Sequence, residues 1–172
     1  MKWSLQQLSV AKHKPFTFEE TIDLSSVMKL NTEIRSVSPI SVKGEVVYTG
    51  SLITFKLDID GELILPCSRT LADVKFPIDI HETIYFHPED VYVTASVDPD
   101  DIHFFEGDVI ELLPAIEELV LLEIPISIFA DEDVEGPAPK SGKDWELFKK
   151  EEQNNRIDPR LADLAKFFEK KE

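Results

Sequence analysis

A single cysteine, Cys67, excludes an internal disulfide, and Thr70 stands where a C-x-x-C pair would place its second thiol. Six glycines in 172 residues leave no Gly-rich phosphate loop, no G-x-S-x-G elbow and no dinucleotide fingerprint. No apolar run reaches the roughly 18 residues that a membrane span needs, so no membrane association is expected. Residues 1–14 mix Gln, Ser, Lys and His with Trp3, Leu5, Leu8 and Val10, which is not the unbroken apolar core of a signal peptide. A reduced, cytoplasmic protein is the expectation. Positive charge is the scarcest commodity, with 18 Lys and Arg against 34 Asp and Glu, a formal charge of −16. A surface this negative repels a phosphate backbone unless a local basic stripe opposes it.

The shortage is concentrated. Between Lys75 and Lys140 there is no Lys or Arg, while 17 carboxylates fall in the same 64 residues. Nine basic residues precede this stretch and nine follow it.

The apolar pattern is mainly of period two. Ile40, Val42, Val46 and Tyr48 share one parity, and Thr49-Gly50 offers a turn before Leu52. Phe55, Leu57 and Ile59 alternate with Lys56 and Asp58, and Asp60-Gly61 then predicts a tight hairpin with a return strand over 62–65. Val74, Phe76, Ile78 and Ile80 predict another strand, with Pro77 marking an edge or a break. A further strand is expected over 91–97, ended by Asp98-Pro99-Asp100. Strands joined by short connections, each with one apolar face, predict an α+β fold of mainly antiparallel β, a sandwich or small barrel, over residues 1–130.

Leu112, Leu113, Ile116, Leu119 and Val120 shift to a helical stripe, predicting one packed helix over 109–122 and an extended segment over 124–129. Residues 131–157 turn to Asp, Glu, Lys, Gly and Pro, the composition of a flexible mixed-charge linker. Residues 158–172 predict a C-terminal amphipathic helix, with Asp158 as cap, Pro159 in the first turn, and Leu161, Leu164, Ala165 and Phe168 on one face.

Few residues offer chemistry. Asp98, Asp100 and Asp101 are the densest carboxylates, but a calcium loop would need Asp or Asn at 102 and Gly at 103, where Ile102 and His103 stand. A solvated turn is the expectation, with Mg²⁺ ligation by Asp98, Asp100, Asp101 and Glu106 as the alternative. His81 and His87 are six residues apart, not the four that a zinc-protease helix requires, and lie on strand-like sequence. No base is evident near Cys67, so it is expected to be a small buried apolar residue. In the tail, Lys140, Lys143, Lys149, Lys150, Arg156 and Arg160 with Trp145 and Phe148 could touch RNA, but 12 acidic against nine basic residues over 131–172 favour a mixed-charge tether. Residues 145–148 could also dock as a peptide.

The segment Cys67-Ser68-Arg69-Thr70-Leu71, followed by a strand, resembles the YceD-like family of large ribosomal RNA subunit accumulation proteins. Relatives carry Cys-x-Arg-Cys-Leu after a β-hairpin; Cys67, Arg69 and Leu71 match and Thr70 departs. The likeness continues through the helix-like stretch over 108–125 and ends at Asp158-Pro159-Arg160-Leu161-Ala162-Asp163-Leu164. Many relatives also have a Cys-rich, zinc-binding type of segment, but here Ala130, Val134, Ala138 and Ser141 stand near the thiol positions, so metal dependence is not carried over.

The resemblance implies a role in accumulating or processing large-subunit ribosomal RNA in ribosome assembly. It implies no reaction. A non-enzymatic factor without cofactor is the expected function, and a carboxylate/Mg²⁺-dependent ribonuclease acting on precursor rRNA is the alternative. Charge then predicts a basic ribosomal protein or assembly factor as partner, association with rRNA being indirect. Asp98, Asp100, Asp101, Glu106, Asp108 and Glu111 are the acidic candidates for that contact. Arg69 either fixes the loop or pairs internally with carboxylates. The oligomeric state is left open by the sequence.

Overall fold

A computed structural model describes residues 1–12, 14–91, 97–131, 134–139 and 141–145. The chain divides into two compact units, residues 1–137 and 138–172. In the second, the described residues form a turn in which the Gly142 N–H donates to the Trp145 carbonyl at 2.7 Å.

The first unit is mixed α+β and mostly strand. Its strands are β1 Lys2–Ser4, β2 Phe16–Ile22, β3 Ser36–Val37, β4 Ile40–Thr49, β5 Leu52–Pro66, β6 Asp73–Pro88, β7 Ile102–Phe105 and β8 Val109–Glu111. Its helices are α1 Leu5–Leu8, α2 Val27–Leu30 and α3 Leu113–Glu123. A six-stranded sheet runs β2-β4-β5-β6-β7, with β3 added to the far half of β5, and a two-stranded ribbon pairs β1 with β8. All pairings are antiparallel except β6 with β7.

Among the described residues the sheet does not close into a barrel, one of the two forms expected. One face is buried, the other open. Val42, Val46, Phe55, Leu57, Ile59, Leu63, Ile78, Ile80 and Ile84 line the buried side, where Leu8, Val27, Ile116 and Val120 from the helices and Trp3 and Ile110 from the ribbon complete the core. Helices segregated to one side of an antiparallel sheet satisfy both apolar surfaces in two layers. Phe55 is the hub: fully buried, its ring lies 5.4 Å from Phe86, 6.0 Å from Trp3 and 6.5 Å from Phe18.

The hairpin expected at Asp60-Gly61 is absent, and β5 runs straight through it. Asp60 pairs with Asp79 and Gly61 with Ile78 in an unbroken ladder. Leu57, Ile59, Leu63 and Leu65 keep one parity across the glycine and are all buried. Gly61 serves packing, since a Cβ there would lie 2.1 Å from Cδ1 of the fully buried Ile40. The chain reverses instead at Gly50-Ser51, between the paired Thr49 and Leu52, and in the loop 67–72 between β5 and β6. Gly50 takes the left-handed backbone, φ 68°, that a two-residue turn wants at its first central position.

Pro77 lies on an edge, as expected. Over 73–84, β6 pairs only with β5 among the described residues. Glu62, opposite Pro77, directs its backbone N–H and carbonyl to Ser38, so the donor missing at Pro77 belongs to the outer edge. The helix expected over 109–122 begins later. Residues 109–111 pair with the N-terminal strand, because Ile110 is buried from a strand position opposite Trp3, and α3 starts with Pro114 in its first turn. The strand expected over 91–97 falls mainly on residues outside the description, as does the C-terminal helix over 158–172.

Candidate functional site

The signature loop is the β5–β6 connection. Its ends are tied by the Cys67 N–H to the Ala72 carbonyl at 2.8 Å, and the Leu71 N–H returns to the Cys67 carbonyl at 2.9 Å. That closure forces Leu71 to φ 58°, a left-handed conformation that costs a branched side chain. Leu71 is nonetheless 42% exposed.

The segment after α3 straps the loop. The Ser68 N–H donates to the Ile128 carbonyl at 2.8 Å, and the Ile128 N–H donates to Ser68 Oγ at 3.1 Å. Two residues on, the Ala130 N–H donates to Cys67 Sγ at 3.3 Å, and the Thr70 N–H donates to the same sulfur at 3.5 Å. Gly136 then passes so close that a Cβ would lie 1.9 Å from the Thr70 carbonyl oxygen.

These donors set the state of the thiol. The Ala130 N–H, then the Thr70 hydroxyl, stabilise the thiolate and bring the Cys67 pKa down to about 6, against an opposing effect of burial. No solvent reaches the sulfur. Cys67 is therefore a covered hydrogen-bond acceptor that joins the loop to its strap. The expectation of an inert apolar thiol gives no hint of the main contact, because the Ala130 donor comes from 63 positions away.

Zinc does not fit here. The loop and strap offer one thiol, with Thr70, Ala130 and Gly136 around it, whereas a closed zinc site wants four thiolates or imidazoles. Among the described residues, no three His, Cys, Asp or Glu side chains converge as metal ligands.

Arg69 is exposed and takes part in none of the ion pairs found among the described residues. Asp158, Pro159, Arg160, Leu161 and Leu164 lie outside the described residues. The acidic candidates fall into two groups. Asp98, Asp100 and Asp101 form a 3₁₀ turn before β7, with the Asp100 N–H donating to Asp98 Oδ1 at 3.2 Å. Glu106 and Asp108 flank Gly107 after β7, the four-residue strand setting the groups roughly 13 Å apart. Both groups are exposed, and Glu111 is paired with Lys2.

The open face of the sheet carries a charged row that sequence reading did not assemble. Register aligns Glu19, Lys43, Asp58 and His81 across β2, β4, β5 and β6. Lys43 Nζ is 3.5 Å from Glu19, and the His81 ring spans Asp58 at 2.6 Å and Asp79 at 3.1 Å. The Asp58 hydrogen bond, then the Asp79 charge, raise the His81 pKa above its ordinary value. His87, by contrast, is fully buried. Its Nδ1 donates to the Pro88 carbonyl at 2.8 Å, which fixes a proton there and leaves Nε2, 2.7 Å away, to meet the Ser51 hydroxyl.

Among the described residues no helix is long and apolar enough to cross a membrane. No solved structure matches the chain significantly. The protein is similar to the Bacillus subtilis (strain 168) "Uncharacterized protein YlbN", 42% identical over 169 residues that cover 96% of this chain and 95% of the relative. The family described as "Large ribosomal RNA subunit accumulation protein YceD" matches residues 55–168, a span that opens in β5, contains the Cys67 loop and its strap, and takes in most of the chain. The chain belongs to that family.

Proposed function

We propose that the protein is a non-enzymatic factor for the accumulation of large-subunit ribosomal RNA, acting in the cytoplasm through a basic ribosomal protein or assembly factor. The family's description supports the rRNA role. The observation that carries the mechanism is the cation-free interval between Lys75 and Lys140, whose Asp98, Asp100, Asp101, Glu106 and Asp108 all face solvent. Exposed carboxylates without neighbouring cations attract basic polypeptide and repel polyphosphate. The protein thus meets rRNA through its partner, and needs no cofactor to do so.

The test is affinity capture from cytoplasm with and without RNase, comparing the native chain with one in which those five acids are reversed to Lys. Partners should survive RNase and disappear on charge reversal. Capture that depends on intact RNA, or cleavage of precursor rRNA by the purified protein with Mg²⁺, would replace this reading.

A further inference from the structure

We propose that the exposed apolar ridge formed by the signature loop and its strap is a docking site for a basic polypeptide segment carrying an aliphatic or aromatic anchor. The inference rests on the partner class above and places its apolar contact away from the acidic turns at either end of β7.

The ridge is built, not frayed. Ser68 and Ile128 exchange two hydrogen bonds, and Ala130 is fixed to Cys67, so the strap's backbone is held flush against the loop. Ile128 packs against the core from that position. Other apolar side chains of the strap lie open to solvent: Ile126 is 107% exposed, Phe129 62% and Val134 40%, with Leu122 at the end of α3 at 74%. Leu71 joins them from the loop, on backbone that pays a conformational penalty to hold it outward. Several exposed apolar side chains carried on two backbone segments that are hydrogen-bonded to each other mark an interaction site.

Charge selects the occupant. Exposed Glu123 and Asp131 bracket the strap and outweigh the single exposed cation of the loop, Arg69, and no Lys or Arg occurs between Lys75 and Lys140. An apolar ridge with an acidic rim repels RNA phosphates. A second copy is disfavoured by the same rim, because a two-fold contact would set Glu123 and Asp131 against acidic counterparts on a chain of charge −16. A cationic segment with an apolar anchor satisfies both parts.

The experiment replaces Ile126 with photoactivatable p-benzoylphenylalanine in the full chain. The chain is irradiated with the protein fraction extracted from purified large ribosomal subunits, with and without large-subunit rRNA, and products are identified by mass spectrometry. A crosslink to a cationic protein that is independent of RNA is expected. Unlabelled native chain should compete it, and Ile126→Lys should compete about tenfold less well, with Ile126→Ala in between. A homodimer, an intramolecular product or an RNA adduct would each overturn the proposal. Native binding to the fraction with no crosslink from position 126, abolished instead by reversal of the β7-flanking acids, would overturn this site but leave the proposed function standing. No binding of the native chain to the fraction would overturn both.

Discussion

Replacing Gly136 with Ala should pry the strap from the signature loop and uncover Cys67. The added Cβ would fall 1.9 Å from the Thr70 carbonyl oxygen, 2.6 Å from the Ala72 nitrogen and 2.7 Å from the Thr70 carbonyl carbon. All three neighbours are backbone, and the Cys67–Ala72 hydrogen bond holds that backbone in place, so the strap rather than the loop must retreat. Overpacking of this kind costs about 1–3 kcal/mol. At tenfold per ~1.4 kcal/mol, the open state should become roughly 5- to 150-fold more populated. The assay is reaction of Cys67 with Ellman's reagent in native buffer. Opening withdraws the Ala130 N–H that does most to lower the Cys67 pKa, so the rate is read at pH 9 or above, where the uncovered thiol is also substantially ionised and the rate follows exposure. The rate should rise by that same factor while the core stays folded by circular dichroism. A rate within twofold of the native protein would refute the claim that the strap covers the thiol.

Other outcomes follow from the same geometry. Because the Cys67 pKa is lowered from 9.0 to about 6, its stabilising contribution is full above pH 9, shrinks as pH falls and is gone below about 6. The stability lost in Cys67→Ser, measured by denaturant unfolding, should therefore be larger at pH 9 than at pH 6; equal losses at both would contradict the hydrogen-bonded thiolate. The raised His81 pKa gives the opposite sign: its contribution is full below 6.5 and lost as pH rises through the shifted value, so His81→Gln should destabilise in acid and not in alkali. Asp60→Thr should stabilise by about 0.2–1 kcal/mol in thermal melts, since it removes a like charge opposite Asp79 in a ladder that welcomes a β-branched residue; destabilisation would revive a turn at 60–61. His87→Leu should cost about 0.5–1.5 kcal/mol for each hydrogen bond lost, to the Ser51 hydroxyl and to the Pro88 carbonyl, and a neutral effect would mean that neither bond is formed.

Legibility in the sequence tracked how local each determinant was. The parity of Ile40 to Tyr48, the Gly50 turn and the edge role of Pro77 rest on neighbouring residues, and each appears where expected. Asp60-Gly61 misled because its turn propensity is local while its purpose is not: the space it leaves is filled by Ile40, 21 residues earlier. The even spacing of Leu57, Ile59, Leu63 and Leu65 held the correct answer. Strand β8 reads as helix in the sequence because Val109 to Glu111 adjoin a genuine helical stripe, while their partner, Lys2–Ser4, lies more than a hundred residues away. In β2, Glu20 interrupts the parity of Phe16, Phe18 and Ile22, so the apolar pattern alone does not announce the strand. The signature loop is visible as a pattern, but its clasp is not, since the Ala130 donor that meets Cys67 is a main-chain group with no residue code to announce it.

The pairing of β1 with β8 has a consequence for synthesis. Strand β1 has its partner at Val109–Glu111, so it stays unpaired until that distant segment has been translated. Until then Trp3, buried opposite Ile110 in the finished ribbon, lacks that partner. The growing chain must carry this greasy side chain without it, and closure of the ribbon comes late, a long-range event of the kind that slows folding and invites rescue by a chaperone.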